Sequence, residues 1–281
     1  MSGGTTNAGY DRLIGLLRSM GSVAVAFSAG VDSTFLLRAA HEALGDRVIA
    51  ITVRSRFVPR RELEASEALC RTIGVPQLIL EVDPFTVEGV RENPADRCYL
   101  CKRELFTRIR AAAEARGFAQ VAEGSNADDL GDYRPGMRAI RELGIRSPLL
   151  ELGLTKAEIR AMSRELGLPT WDKPAMACLA TRIPTGTPLT EESLRRAEKA
   201  EERLSDLGFG KLRVRVHGDL ARIELDPAEL PRLLDEQTRQ TVHRDLLALG
   251  FRWVSLDLGG YRMGSMNRIS GNRHQAIGTR Q

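Results

Sequence analysis

Between Ser22 and about Leu150, short apolar runs alternate with longer helical patterns that stop at glycines. Val23 to Phe27, Val48 to Val53, Leu78 to Val82 and Val121 to Ala122 read as strands. Ser33 to Leu44, Arg60 to Ile73 and Tyr99 to Arg116 read as helices, ended by Gly45, Gly74 and Gly117. Such alternation restricts the chain to an α/β fold, a parallel sheet with helices on both faces. Ligands of these sheets lie beyond the carboxyl ends of the strands. Ser28 to Ser33, Thr52 to Arg54 and Gly124 to Asp129 therefore share one rim. Thr155-Lys-Ala-Glu158 has capping-box spacing and opens a further helix that runs to Gly167.

Pro169, Pro174, Pro184 and Pro188 then interrupt regular structure, which predicts a first domain over 1–186 and a smaller α+β domain over 187–281. The second begins with a charged helix, Glu191 to Leu207. Two alternating runs, Lys211 to His217 and Leu220 to Leu225, are joined by Gly218-Asp219 as a hairpin. A helix pair (Ala228 to Leu234, Thr238 to Leu249) and a strand from Trp253 to Leu258 follow. Two domains suit 281 residues. No apolar stretch approaches the roughly 20 residues of a membrane span, and Met1 to Asn7 lacks the zones of a signal peptide. A cytoplasmic protein with no membrane partner is expected. The net charge of +4, with eight Phe, four Tyr and two Trp, argues against a nucleic-acid surface. Four cysteines in a reducing compartment read as thiols or metal ligands.

The segment Ser28-Ala-Gly-Val-Asp-Ser33 joins a strand to a helix N-terminus. Gly30 lets the backbone approach an oxyanion, and the free N–H groups and positive dipole end of the helix favour negative charge. Ser28 and Ser33 add hydroxyls. Asp32 repels phosphate, so it orients the turn or holds magnesium. The alternative is an ordinary turn capped by Ser33. In the polar stretch from Gly124 to Pro135, Ser125 and Asn126 are candidates to meet a nucleotide. Asp128, Asp129 and Asp132 are candidates to hold magnesium; alternatively Asn126 or Asp128 caps a helix. Lys102 and Arg182 are candidate phosphate partners, or else surface cations.

Cys98-Tyr-Leu-Cys101 precedes a helical pattern, and Cys178 is its one plausible partner. The pair reads as a zinc, iron-sulfur or redox motif, or as two small residues packed at a helix start; as metal ligands, the three thiolates leave a vacant fourth position, which signals chemistry at the metal. Cys70 falls at helical spacing with Leu63 and Ile73 and reads as a buried, inert thiol. In the hairpin, a two-residue turn sets Arg215 opposite Arg222 and Arg213 opposite Glu224, all on one face with His217. Like charges across a ladder call for an anion between them. A phosphate or carboxylate site competes with a solvated face compensated by one Glu.

Ser28-Ala-Gly-Val-Asp-Ser33 resembles the pyrophosphate loop of the ATP pyrophosphatases, with Ala29 where many members carry Gly. The blocks Glu123 to Gly136, Ala175 to Pro184, Leu212 to Leu225 and Gly260 to Asn267 are similar to the LarE family of ATP-dependent sulfur transferases, over nearly the whole chain. The resemblance implies a PP-loop enzyme that adenylates the carboxylates of a small-molecule substrate, pyridinium-3,5-biscarboxylic acid mononucleotide, and converts them to thiocarboxylates for a nickel-pincer cofactor. It implies ATP and Mg2+ at Ser28, Gly30, Asp32, Ser33, Thr52, Gly124, Ser125, Asn126, Asp129 and Arg182. Arg213, Arg215 and Arg222 would grip the substrate phosphate. Cys98, Cys101 and Cys178 match a three-cysteine branch, in which they would ligate a [4Fe-4S] cluster whose unique iron binds an extra sulfide, from a sulfide donor, for transfer, with Cys178 catalytic. A homo-oligomer is also implied. Competing expectations are sacrifice of Cys178 in a single transfer, a tRNA thiolation enzyme of the same loop class, and a non-enzymatic cluster carrier or ATP-binding regulator.

Overall fold

The computed structural model describes residues 8–131, 135–175 and 177–262. The chain divides into two units, Met1–Ala177 and Cys178–Gln281. This division lies upstream of the expected 186/187 boundary, because Leu179–Arg182 forms a short 3-10 helix whose neighbours belong to the second unit.

In the first unit the elements run α1 (Ala8–Ser19), β1 (Val23–Ala26), α2 (Val31–Leu44), β2 (Val48–Arg54), α3 (Arg60–Ile73), β3 (Gln77–Glu81), α4 (Arg97–Glu114), β4 (Val121–Ala122), α5 (Pro135–Glu142), α6 (Pro148–Glu151) and α7 (Lys156–Glu165). The four strands form one parallel sheet in the order β3-β2-β1-β4. Alternation along β1 and β2 explains the two helical layers. Val23, Val25, Val48 and Ala50 pack with side chains of α1, α2, α3 and α7. Ala24, Ile49, Ile51 and Val53 pack with Phe106, Ile109 and Ala113 of α4 and Ile140 of α5. The order reverses between β1 and β4, the switch point where sheets of this type open a crevice at the carboxyl ends of their strands.

Most expected elements are present, with shifts at their ends. Helix α4 starts at Arg97, so Cys98 and Cys101 lie inside its first turns and do not precede it. Helix α2 starts at Val31, with Gly30 at its N-cap and no side-chain cap. Ser33 is thus a helical residue, and the reading in which it caps the helix is corrected.

The second unit contains α8 (Glu191–Asp206), β5 (Leu212–His217), β6 (Leu220–Leu225), α9 (Leu230–Leu234), α10 (Glu236–Ala248) and β7 (Trp253–Leu256). β5 and β6 pair in the expected register, Arg215 opposite Arg222 and Arg213 opposite Glu224, and β7 joins β6 in parallel. Leu194, Ala197 and Leu204 of α8 are buried, as are Leu212, Val214, Ala221 and Ile223 of the hairpin. Among the described residues no helix is long and apolar enough to cross a membrane.

Candidate active site

At the carboxyl end of β1 the chain turns sharply into α2. Ala29 takes φ +57°, in the left-handed region that costs an L-residue roughly 1–2 kcal/mol, and it is fully buried. Gly would meet this backbone demand without strain, and the chain meets it with Ala. Ser28 Oγ lies 3.1 Å from Ser33 Oγ, and the Ser28 N–H points to Ser33 Oγ at 3.4 Å. The two hydroxyls thereby frame the turn, and no side chain caps the amides of the first turn of α2. Free helix N-terminal amides, two hydroxyls and a positive dipole end make an oxyanion cradle.

Three cationic or close contacts shape this turn. The Lys156 ammonium, from the first position of α7, donates to Asp32 Oδ2. Lys173 Nζ donates to the Ala29 carbonyl at 3.1 Å and to Glu62 Oε2 at 2.7 Å, fixing the strained peptide. Gly124, beyond β4, comes close enough that a Cβ there would lie 3.0 Å from Ser33 N and 3.2 Å from Asp32 C. A Gly124→Ala variant must push backbone from backbone. It is expected to weaken ATP binding about tenfold, since sub-ångström misplacement of a binding turn is costly. Calorimetric titration with ATP checks this, and unchanged affinity would show that the close approach does not matter.

The neighbouring rim loop is internally bonded. Buried Glu123 accepts from Ser125 N at 3.1 Å, from Ser125 Oγ at 2.8 Å and from Ser147 Oγ. Asn126 N donates to Asp129 Oδ2 at 3.0 Å, Asp128 N to Asn126 Oδ1 at 3.0 Å, and Lys156 N to Asp128 Oδ2 at 3.0 Å. The carboxylates of Asp128 and Asp129 therefore order the loop. Thr52 is buried, its hydroxyl donating to Phe27 O at 3.0 Å and accepting from Gln77 at 2.8 Å, so it ties β1 to β2. The stem of Lys102 lies where a Cβ on Gly136 would fall. Asp132, Met176 and the stretch from Met263 to Asn267 in the tail motif lie outside the described residues.

None of the four cysteines forms a disulfide. Cys70 is 2 % exposed, and burial pushes its thiol up to about 12, as expected of an inert group. Cys98 and Cys101 are half-buried in the first turns of α4, and Cys98 Sγ accepts from Arg97 at 3.4 Å. Cys178 is half-buried and opens the second unit. Its carbonyl accepts from Thr181 N at 2.9 Å, Thr181 Oγ1 at 2.7 Å and Arg182 Nη1 at 3.1 Å. Among the described residues no three His, Cys, Asp or Glu side chains gather as a metal site.

Arg182, one of the nucleotide candidates, is fully buried and not a surface cation. Its guanidinium makes a two-pronged pair with Glu201, Nε–Oε1 2.8 Å and Nη2–Oε2 2.9 Å, and Glu201 Oε1 also accepts from Val214 N at 3.0 Å. The hairpin face is not a solvated one: Arg213 and Arg215 are each 5 % exposed and Glu224 is fully buried. Glu224 is the anion between the opposed arginines, accepting from Arg215 at 2.8 Å and from Arg222 at 3.0 Å. Arg215 also reaches Thr181 O at 3.0 Å, and Arg213 reaches Leu212 O at 2.6 Å and lies 5.1 Å from the Tyr261 ring centre. Burial, then Arg182, holds the Arg213 guanidinium below its ordinary range. His217 is held neutral to lower pH than usual by burial and by Arg222 and Arg215. Arg222 Nε also lies 3.6 Å from Asp257 Oδ2, so Glu201, Glu224 and Asp257 are the carboxylates that face the arginines of this region.

No family model matches the chain. An uncharacterized protein of Synechocystis is 41% identical over 245 residues, 87% of this chain and 91% of the relative. The pyridinium-3,5-bisthiocarboxylic acid mononucleotide synthase of Lactiplantibacillus plantarum is 38% identical over 256 residues, 91% of this chain and 92% of that enzyme. The chain belongs to the LarE family. Similarity also extends to one component of the glutamine-hydrolyzing GMP synthase of Archaeoglobus fulgidus, 30% identical over 204 residues and 66% of each chain. This LarE-family chain is thus an ATP-dependent enzyme of the PP-loop class. The sequence pattern did not disclose Lys156, Lys173, Glu62, Ser147 and Glu201. Only Lys156 carried a signal, its place at the first position after a capping-box Thr.

Proposed function

We propose that the chain is an ATP-dependent sulfur transferase that adenylates the carboxylates of pyridinium-3,5-biscarboxylic acid mononucleotide and converts them to thiocarboxylates. The observation that carries this reading is the uncapped N-terminus of α2 framed by Ser28, Ser33 and Asp32, in a chain with three accessible thiols. The reading is supported by the 38% identity to an enzyme named for the bisthiocarboxylic product. A substrate carboxylate oxygen attacks the α-phosphorus of ATP, the bond to the bridging oxygen breaks, and pyrophosphate leaves into the 28–33 turn, whose amides and hydroxyls offset its charge. A sulfur nucleophile then attacks the acyl carbon and AMP departs with the C–O electron pair. Arg213, Arg215 and Arg222 hold the mononucleotide phosphate in this reading.

Magnesium fits the turn: Asp32 Oδ1 is buried without a hydrogen-bond partner among the described residues, a hard oxygen donor left for a cation. Asp32 would hold the ion, which offsets charge on the leaving pyrophosphate. For a [4Fe-4S] cluster the fit is one of donor chemistry, since Cys98, Cys101 and Cys178 are the partly exposed thiols. Bound there, a cluster with three thiolate ligands would offer an iron to the sulfide that is transferred. The homo-oligomer and the sulfide donor belong to the same proposal.

The test is pyrophosphate release from Mg·ATP in the presence of the pyridinium dicarboxylate, with unmodified tRNA as the competing acceptor. Release is expected with the dicarboxylate alone. Release with tRNA in its place would move the chain to the tRNA thiolases, and release with neither would leave a non-enzymatic binder.

A further inference from the structure

The amine of Lys156 is on the one carboxylate of the pyrophosphate turn, and the backbone of the same residue is on the other rim loop. Its Nζ donates to Asp32, its N–H donates to Asp128 Oδ2 at 3.0 Å, and Ala127 N donates to Leu154 O at 2.9 Å. The capping box holds that backbone in place, with Glu158 Oε2 accepting from Thr155 N at 2.8 Å and from Thr155 Oγ1 at 2.7 Å. The side chains of Lys156 and Asp32 keep partial exposure, 29 % and 21 %, so the ammonium can turn away without unpacking the core. Asp32 meanwhile has its second oxygen buried and unpaired among the described residues. An ammonium is a compact charge with three rotatable donors on a flexible stem, able to change partners at little cost.

We infer that Lys156 is a partner-exchanging phosphate ligand. In the nucleotide-free enzyme it occupies Asp32 in place of a divalent cation, and when nucleotide enters it passes to the phosphate oxygens and leaves Asp32 to the metal. The inference rests on the reading of the 28–33 turn as the pyrophosphate site. Its physical consequence is a pair of effects of opposite sign. Removing the amine frees Asp32 for a divalent cation when no phosphate is present, because an adjacent positive charge no longer repels the ion. The same change takes a cation from the phosphate and weakens pyrophosphate binding.

The test uses the full chain, with Mn2+ as a spectroscopically visible probe and magnesium pyrophosphate as the second ligand, both by direct binding. Lys156→Met is expected to bind Mn2+ alone about tenfold more tightly and magnesium pyrophosphate about tenfold more weakly than wild type, each step near 1.4 kcal/mol. Lys156→Arg, which keeps the charge, is expected to stay within a few-fold of wild type for both. Parallel loss of both affinities in Lys156→Met would mean a merely structural role and overturn the inference, as would no change in either. A wild type that binds Mn2+ but neither ATP nor pyrophosphate would instead overturn the reading of the turn, and the inference with it.

Discussion

Cys178→Ala is expected to make no thiocarboxylate while still releasing pyrophosphate from Mg·ATP and the pyridinium dicarboxylate. In the proposed reaction the two half-reactions draw on different groups: the amides and hydroxyls of the 28–33 turn would serve the leaving pyrophosphate, whereas sulfur needs a nucleophilic thiol or a sulfide held by one. Product analysis by mass spectrometry, together with iron and sulfide content after anaerobic purification, distinguishes how the sulfur arrives. If Cys98, Cys101 and Cys178 hold a cluster, wild type carries iron and sulfide and turns over repeatedly, and Cys98→Ala loses both metal and product. If Cys178 is sacrificed, wild type carries no iron and Cys98→Ala still makes one equivalent. The protein then loses the mass of H2S as the Cβ–Sγ bond breaks, the Cα proton departs and dehydroalanine remains. Cys70→Ala is the control. That thiol is buried in the α3 core and pushed up to about 12, so the change is expected to cost about 1 kcal/mol of stability and no activity. Thiocarboxylate formation by Cys178→Ala would remove Cys178 from the chemistry.

The α/β layout was legible because the β1 and β2 alternation and the glycine stops are local signals, and local signals are what a sequence displays directly. The hairpin register was legible for the same reason: a two-residue turn leaves one pairing, and Arg215 does face Arg222. What the pattern concealed was burial on both faces. Charged residues at alternate positions ordinarily face water, but Glu224 and Glu201 lie inside and compensate the arginines there. Helix α4 starts earlier than the periodicity suggested because Arg97, a buried cation bonded to Asn93 Oδ1 at 2.9 Å, belongs to its first turn. Lys173 and Glu62 were invisible as a pair, since 111 positions separate them and only the fold brings them to the Ala29 carbonyl. Arg182 shows the limit most plainly. A lone arginine in a proline-broken segment reads as a surface cation or phosphate partner, and its two-pronged bond to Glu201 is a tertiary fact.

That pair carries the other large expected effect. Glu201→Ala leaves Arg182, fully buried, without its carboxylate, and also removes the acceptor of Val214 N. Breaking a buried pair by deleting one partner costs about 3–5 kcal/mol, because the remaining charge stays desolvated. Against the roughly 5–15 kcal/mol that holds a domain folded, this brings the second unit close to unfolding, which urea denaturation followed by circular dichroism reports. A loss under about 1 kcal/mol would show that Arg182 finds another partner. The double replacement Arg182→Met with Glu201→Leu separates stability from chemistry. Apolar groups of similar volume commonly recover what a buried pair supplied, so the midpoint should return most of the way to wild type. The Cys178 carbonyl, however, loses the Arg182 donor now 3.1 Å away. Sulfur transfer should stay depressed in a protein that is again stable, and full recovery of both would mean that Arg182 serves the fold alone.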